Sequence, residues 1–176
     1  MPDSIADHTW ALDPVHSHAE FSVRHMGVAT FKGSFCSIAA SLSESDGVIS
    51  ITGTVHPGDI VVKDENLLGH LQSPDFFDSE KYPDITFTST SVTRDGDRLE
   101  LEGNLTMKGV TEPVKGTGHM TDPTEDAMGN TKVGVSLETT VDRTVFGVSW
   151  NAPLPKGGFA VSDEVKLSIE LEFVAQ

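Results

Sequence analysis

Arg24, His25 and Lys32 form the densest group of cationic side chains in a chain that carries 27 acidic residues against 12 basic ones. Phe21, Val23, Met26, Phe31 and Phe35 stand among them. A guanidinium and an imidazole at the end of a greasy segment have a definite chemistry. They can donate charge-assisted hydrogen bonds to a polar or phosphorylated head, while the aromatic and aliphatic neighbours accept an apolar tail. The same residues also have a structural reading, with Arg24 paired to a surface carboxylate and His25 packed beneath a turn. The residues taken alone leave both readings open.

The remaining reactive side chains give weaker signals. His16-Ser17-His18 would place two imidazoles on one face of a strand, half of a metal site. The other histidines are scattered, among them His25, His56, His70 and His119, and a tetrahedral centre needs ligands converging from several elements. No metal is therefore expected. The sequence contains no G-x-S-x-G, no H-E-x-x-H and no phosphate-binding glycine loop, so no catalytic residue is expected. Asp75 and Asp78 flank Phe76-Phe77 and read as capping residues of a helical turn. Asp142-Arg143 reads either as a structural ion pair or as part of an opening. Cys36 is the single cysteine and cannot close an intramolecular disulfide; a small packed residue is the expectation.

Strands must hold these groups in place. Val165, Leu167, Ile169, Leu171 and Phe173 alternate with Lys166, Ser168, Glu170 and Glu172. Leu99, Leu101, Gly103, Leu105 and Met107 alternate with charged and polar residues in the same way, as do Val133, Val135, Leu137 and Val141. Further runs lie near Ala19 to Val23, Ala29 to Leu42, Ile49 to Val55, Ile85 to Thr93 and Pro113 to Met120, eight in all. Asp95-Gly96, Asp46-Gly47 and Lys108-Gly109 are hairpin signals. Asp122 to Asn130 and Asn151 to Gly158 read as loops. Asp64 to Gln72, with Leu67, Leu68 and Leu71 at helical spacing, reads as a helix. Ser73-Pro74-Asp75 follows as the start of a second short helix or helical loop leading into Phe76 and Phe77. Strands that are apolar on one face need one shared interior, either a sandwich or a barrel. About eight strands is the size at which a barrel holds one small ligand. Gly33, Gly53, Gly103, Gly116, Gly118 and Gly134 fall within strand runs and mark bends or room for a ligand.

At 176 residues the chain suits one domain with its own core. A net charge of −15 repels phosphate backbones and anionic headgroups, which speaks against nucleic-acid binding and stable membrane adsorption or insertion. No apolar run approaches a membrane-spanning helix, and MPDSIADHTW lacks the features of a secretory signal. The expected location is the cytoplasm.

Four segments together resemble the YceI-like family: WALDPVHSHAEFSVRHMGVATFKGSF from Trp10, HLQSPDFFDSEKYPDITFTST from His70, LEGNLTMKGVTEPV from Leu101 and DRTVFGVSW from Asp142. The resemblance runs from about Trp10 to Phe173. It implies an all-β fold, an eight-stranded antiparallel lipocalin-like β-barrel with a short helical segment near residues 64–78. Residues 9–176 would form the lipid-binding domain, with 1–8 as an N-terminal arm. It further implies a non-enzymatic carrier or store for a long amphiphile such as a polyprenyl lipid or isoprenoid quinone, with no cofactor besides the bound lipid, and a homodimer. The sequence departs from the family where an Arg-Asp pair usually precedes the helical His; Leu67-Leu68 lies in that region here. A common Arg after the fifth strand is Glu112. Both changes favour a neutral head over an anionic one.

With that resemblance, the apolar wall of a binding site would comprise Phe21, Val23, Met26, Phe31, Phe35, Leu67, Leu71, Phe76, Phe77, Phe87, Leu101, Met107, Phe146 and Trp150. Arg24, His25 and His70 would meet the head. Two rivals are a hydrolase or isomerase using His25 or His70 as base, which requires a carboxylate partner, and a stress-related structural or partner-binding protein with a filled core.

Overall fold

The structure is a computed structural model and describes residues 3–176. Twelve strands in chain order share one antiparallel sheet: β1 (Trp10–Leu12), β2 (His18–His25), β3 (Ala29–Phe35), β4 (Ile38–Ser45), β5 (Val48–Val55), β6 (Ile60–Val61), β7 (Ile85–Asp95), β8 (Arg98–Met107), β9 (Val110–Met120), β10 (Thr124–Glu125), β11 (Thr131–Asp142) and β12 (Glu164–Ala175). The one α-helix among the described residues, α1 (Glu65–Gln72), lies between β6 and β7. The sheet runs β4-β5-β7-β8-β9-β11-β12-β2-β3-β6, with β1 and β10 attached to β12 and β11. This curled antiparallel sheet is the lipocalin-like form that the family resemblance implies, and it supplies the shared interior that the alternating runs require.

The strand count differs because the expected run Ala29 to Leu42 is two strands, and because the short strands β1, β6 and β10 add to the eight expected runs. β3 pairs with β2, and β4 pairs with β5, at the opposite end of the sheet path. The chain turns the corner at Cys36-Ser37, where the Asp59 carboxylate accepts from both backbone amides at 3.2 Å. One nearly continuous segment thus links the two edges of the curl. Cys36 at this corner is exposed, not packed as expected, because the bend turns it away from the interior.

Three hairpins, at Met26-Gly27, Asp46-Gly47 and Lys108-Gly109, have positive φ at both turn residues, the geometry that matches strand twist. The hairpin expected on Asp95-Gly96 is shifted by one: Asp95 pairs with Arg98, and the turn residues are Gly96 and Asp97. Asp64 caps α1 by accepting from the Leu67 amide at 2.8 Å. Residues after Ser73 form a series of turns rather than a second helix; the Phe76 and Asp78 amides both return to the Ser73 carbonyl.

Two apolar clusters fill the curl. One, built on Leu99, Met120, Val133 and Phe173, closes the end near the N-terminus, where Ile5 is buried and its carbonyl accepts from the Trp10 indole at 2.9 Å. Residues 3–8 of the expected arm thus include a packed plug; Met1 and Pro2 lie outside the described residues. The other cluster, around Phe21, Leu71, Phe76 and Phe146, lies at the end that carries α1.

Candidate functional site

A cavity of about 220 Å³ lies against the second cluster and reaches Ile51, Leu137 and Leu171 of the first, and its accessible lining is almost wholly apolar. A dry cavity of about 150 Å³ accepts a benzene-sized guest, so this one has room for a short hydrocarbon segment. Alternation along the strands builds it. Ala19, Phe21 and Val23 of β2, Phe31 and Phe35 of β3, and Val165, Leu167, Ile169 and Leu171 of β12 all point inward. α1 covers one side with Leu67 and Leu71, and the following turns add Phe76 and Phe77.

Phe21 is the centre of the aromatic wall. Its ring lies 5.8 Å from Phe35, 6.1 Å from Phe31 and 6.4 Å from Phe77, centroid to centroid, in tilted and edge-on contacts. Two strand glycines make room for such rings. A Cβ on Gly33 would stand 2.5 Å from the Phe21 ring, and one on Gly103 would stand 2.5 Å from the Phe87 ring. Space at these two glycines is taken by the protein's own aromatics.

Of the expected wall residues, Phe21, Val23, Phe31, Phe35, Leu67, Leu71, Phe76, Phe77, Phe87 and Met107 line the cavity. Four do not. Met26 sits at φ 54° in the β2–β3 turn and faces solvent. Leu101 belongs to the closed-end cluster. Phe146 is 1% exposed and packs within the wall behind the lining. Trp150 lies in the loop after β11, against His70 and Phe76.

Of the expected head residues, Arg24 and His25 line the cavity. Among the described residues Arg24 pairs with no carboxylate; it donates to the Gly27 carbonyl at 3.1 Å and the Thr30 hydroxyl at 3.4 Å, both within its own hairpin. His70 does not line the cavity. It hydrogen-bonds to Asp75 at 3.0 Å and meets Phe76 and Trp150 edge-on. The imidazole with a carboxylate partner is therefore outside the cavity, and the one beside the cavity, His25, has no such partner among the described residues.

Arg143, which the sequence left between a structural ion pair and part of an opening, lines the cavity and also has a structural role. It is 4% exposed, yet its guanidinium is fully engaged. Nη1 donates to the carbonyls of Val148 at 2.6 Å and Trp150 at 3.0 Å, Nε to Ser162 at 2.9 Å, and Nη2 to Val161 at 3.3 Å. Asp163 stands 3.9 Å away. Burial pulls the Arg143 pKa below its ordinary value, against the opposing pull of Asp163 and Asp142. A guanidinium nevertheless stays charged. Its five donors are largely spent on tying the loop 148–162 to the sheet, which leaves little for a ligand. Ile85, Leu105, Val141 and Val148 also line the cavity, and the alternating apolar runs already marked Ile85, Leu105 and Val141 as inward-facing.

The histidine pair does not form the expected strand face. His16 lies in a bend ahead of β2, where the Asp13 carboxylate accepts from its Nδ1–H at 2.8 Å. Glu172 lies close by, but Lys132 already holds it at 2.6 Å.

A curled antiparallel sheet around a dry internal cavity defines a small lipocalin-like protein. The YceI-like domain model matches residues 10–173, and the chain belongs to that family. It is 31% identical to UPF0312 protein SA2479 of Staphylococcus aureus strain N315 over 93% of this chain and 96% of that one. With UPF0312 protein ECA1782 of Pectobacterium atrosepticum it shares 28% identity over 97% and 88%. Among solved structures, Burkholderia cenocepacia BcnA superposes with a TM-score of 0.78 at 21% identity, covering 92% of this chain and 98% of that one. A polyisoprenoid binding domain from Saccharophagus degradans superposes at 0.73 with 11% identity, covering 96% and 99%. At these identities the two structures share the fold. No helix among the described residues is long and apolar enough to cross a membrane.

Proposed function

We propose that this protein holds the apolar tail of a long-chain isoprenoid-type lipid in its cavity, as a carrier or store and without chemical turnover. The apolar lining carries the reading: it offers hydrocarbon a dry place and offers a reacting polar group almost nothing. Each methylene-sized unit taken from water contributes about 0.8 kcal/mol, so a few units retain a chain after the cost of ordering it. The likeness to a domain named for polyisoprenoid binding supports the same class of ligand.

Arg24 and His25 line the cavity, and in this reading they meet the head of the lipid. Arg143 brings charge close by, but carbonyls already take its donors. A neutral head such as a quinone fits this arrangement better than a pyrophosphate, which would require several free cationic donors. Native mass spectrometry of freshly purified protein tests the reading. A bound mass with prenyl spacing is expected; protein that is always empty, and stays empty when a quinone or polyprenol is offered, would sink it.

A further inference from the structure

Two long stretches of this acidic chain, residues 21–43 and 143–162, contain no Asp or Glu. The fold brings them together beside the cavity. The Met26 amide donates to the Ala160 carbonyl at 2.7 Å, and the Ser162 amide to the Arg24 carbonyl at 3.2 Å. The Arg24 amide donates to the Ser162 hydroxyl at 3.1 Å, and His25 bridges to Val161. The β2–β3 hairpin and the 151–160 loop are therefore one surface. From it project Met26, 41% exposed, Val28, 78%, and Phe159, 63%. Arg24, Lys32 and Lys156 belong to the same two stretches and make no ion pair among the described residues. Of the adjoining carboxylates, Asp142 accepts from Thr144 and Asp163 faces Arg143 at 3.9 Å, while Glu20 and Glu164 make no ion pair among the described residues.

We infer that this rim docks on the surface of an anionic lipid bilayer, transiently and with the cavity turned toward it. Exposed apolar side chains beside unpaired cations match both layers of such a surface, hydrocarbon and phosphate. The acidic remainder of the molecule is repelled by the same surface. That repulsion disfavours any other orientation and keeps residence short. The inference rests on the lipid-carrier reading. A tail held beside Arg24 and His25 could pass between cavity and bilayer without crossing water. A protein partner is the weaker fit, because a bilayer alone supplies both the phosphates and the destination for the cargo.

Flotation with vesicles tests it, using phosphatidylcholine alone and phosphatidylcholine mixed with phosphatidylglycerol, at low and at physiological salt. Wild-type protein is expected to float with the mixed vesicles at low salt and to be released as salt screens the cations. Lys156→Gln should weaken this partitioning about fivefold, the worth of one cation at an anionic surface. Val28→Ser combined with Phe159→Ser should abolish it. Val48→Ser, an exposed apolar residue in the β4–β5 hairpin, should change nothing. Wild-type protein that floats with neither vesicle, or Val48→Ser acting like the rim variants, overturns the inference. Native mass spectra of the same samples separate the two readings. Protein that carries lipid but ignores vesicles refutes the docking alone, whereas protein that docks but never takes up lipid refutes the carrier.

Discussion

The ring of Phe21 on β2 occupies the space that a side chain at Gly33, its cross-strand partner on β3, would need. A phenylalanine of the wall and a glycine of the neighbouring strand are thus one packing unit. Gly33→Ala should force the ring into the cavity or strain the β2–β3 pair. We expect a loss of about 1–3 kcal/mol, as for other overpacked cores. Denaturant unfolding would measure it, and ligand content should fall in parallel.

Filling the cavity should separate binding from folding. Leu167 on β12 is the cross-strand partner of Phe21 and lines the cavity. Leu167→Trp is expected to retain the β-sheet circular dichroism of the wild type while eliminating the co-purifying mass. A fully loaded variant would show that the ligand lies elsewhere.

Arg143 ties four backbone carbonyls of the 148–162 loop to one guanidinium. Arg143→Gln leaves several of them without donors, and we expect a loss of about 2–4 kcal/mol in chemical unfolding. Arg143→Lys should recover only part of this, because an ammonium cannot reproduce the planar fork. Hydrogen exchange should quicken in the 148–162 loop in both variants.

Asp13 and His16 shift one another in opposite directions. The hydrogen bond between them lowers Asp13 below 3.8 and raises His16 above 6.5. The lowered carboxylate supports the fold above 3.8, and that support is lost as pH falls through its folded value. The raised imidazole supports the fold below 6.5, and that support is lost as pH rises through its folded value. Stability from this pair is therefore greatest between 3.8 and 6.5. His16→Asn should flatten the decline above 6.5 in thermal melts recorded across pH. A second acid-side slope should come from Asp126, which the Asn130 and Met128 amides hold at about 2. Asp126→Asn should remove it.

Asp64 fixes the first turn of α1, which covers one side of the cavity. Asp64→Ala should cost about 1 kcal/mol. It should also speed release of a fluorescent polyprenyl probe; an unchanged release rate would mean that α1 does not control access.

How much the chain disclosed depended on whether the cause was local. Val165 to Phe173 and Leu99 to Met107 alternate so regularly that their inward faces were legible, and with them the part of the cavity wall made by Val165, Leu167, Ile169, Leu171, Leu105 and Met107. The corner at Cys36-Ser37 was not, because the group that caps it, Asp59, is more than twenty residues away. Burial of Arg143 was hidden for a similar reason. Its partners are backbone carbonyls, which no side-chain pattern reports; the acid-free run behind it was the available signal. Met26, Trp150 and His70 were misplaced because apolar or aromatic character in a turn or loop does not fix which way a side chain points. Leu101 and Phe146 face inward as expected but pack in the closed end and behind the wall, a difference in depth that alternation cannot encode.

The corner between β3 and β4 has a practical consequence. It is the covalent link between the two edges of the curl, and it carries the molecule's single thiol, which is exposed. A spin label or fluorophore attached to Cys36 would therefore sit on that seam in the unaltered sequence. Spectroscopy could then follow the seam breathing as cargo enters, with no residue exchanged to create the observation point.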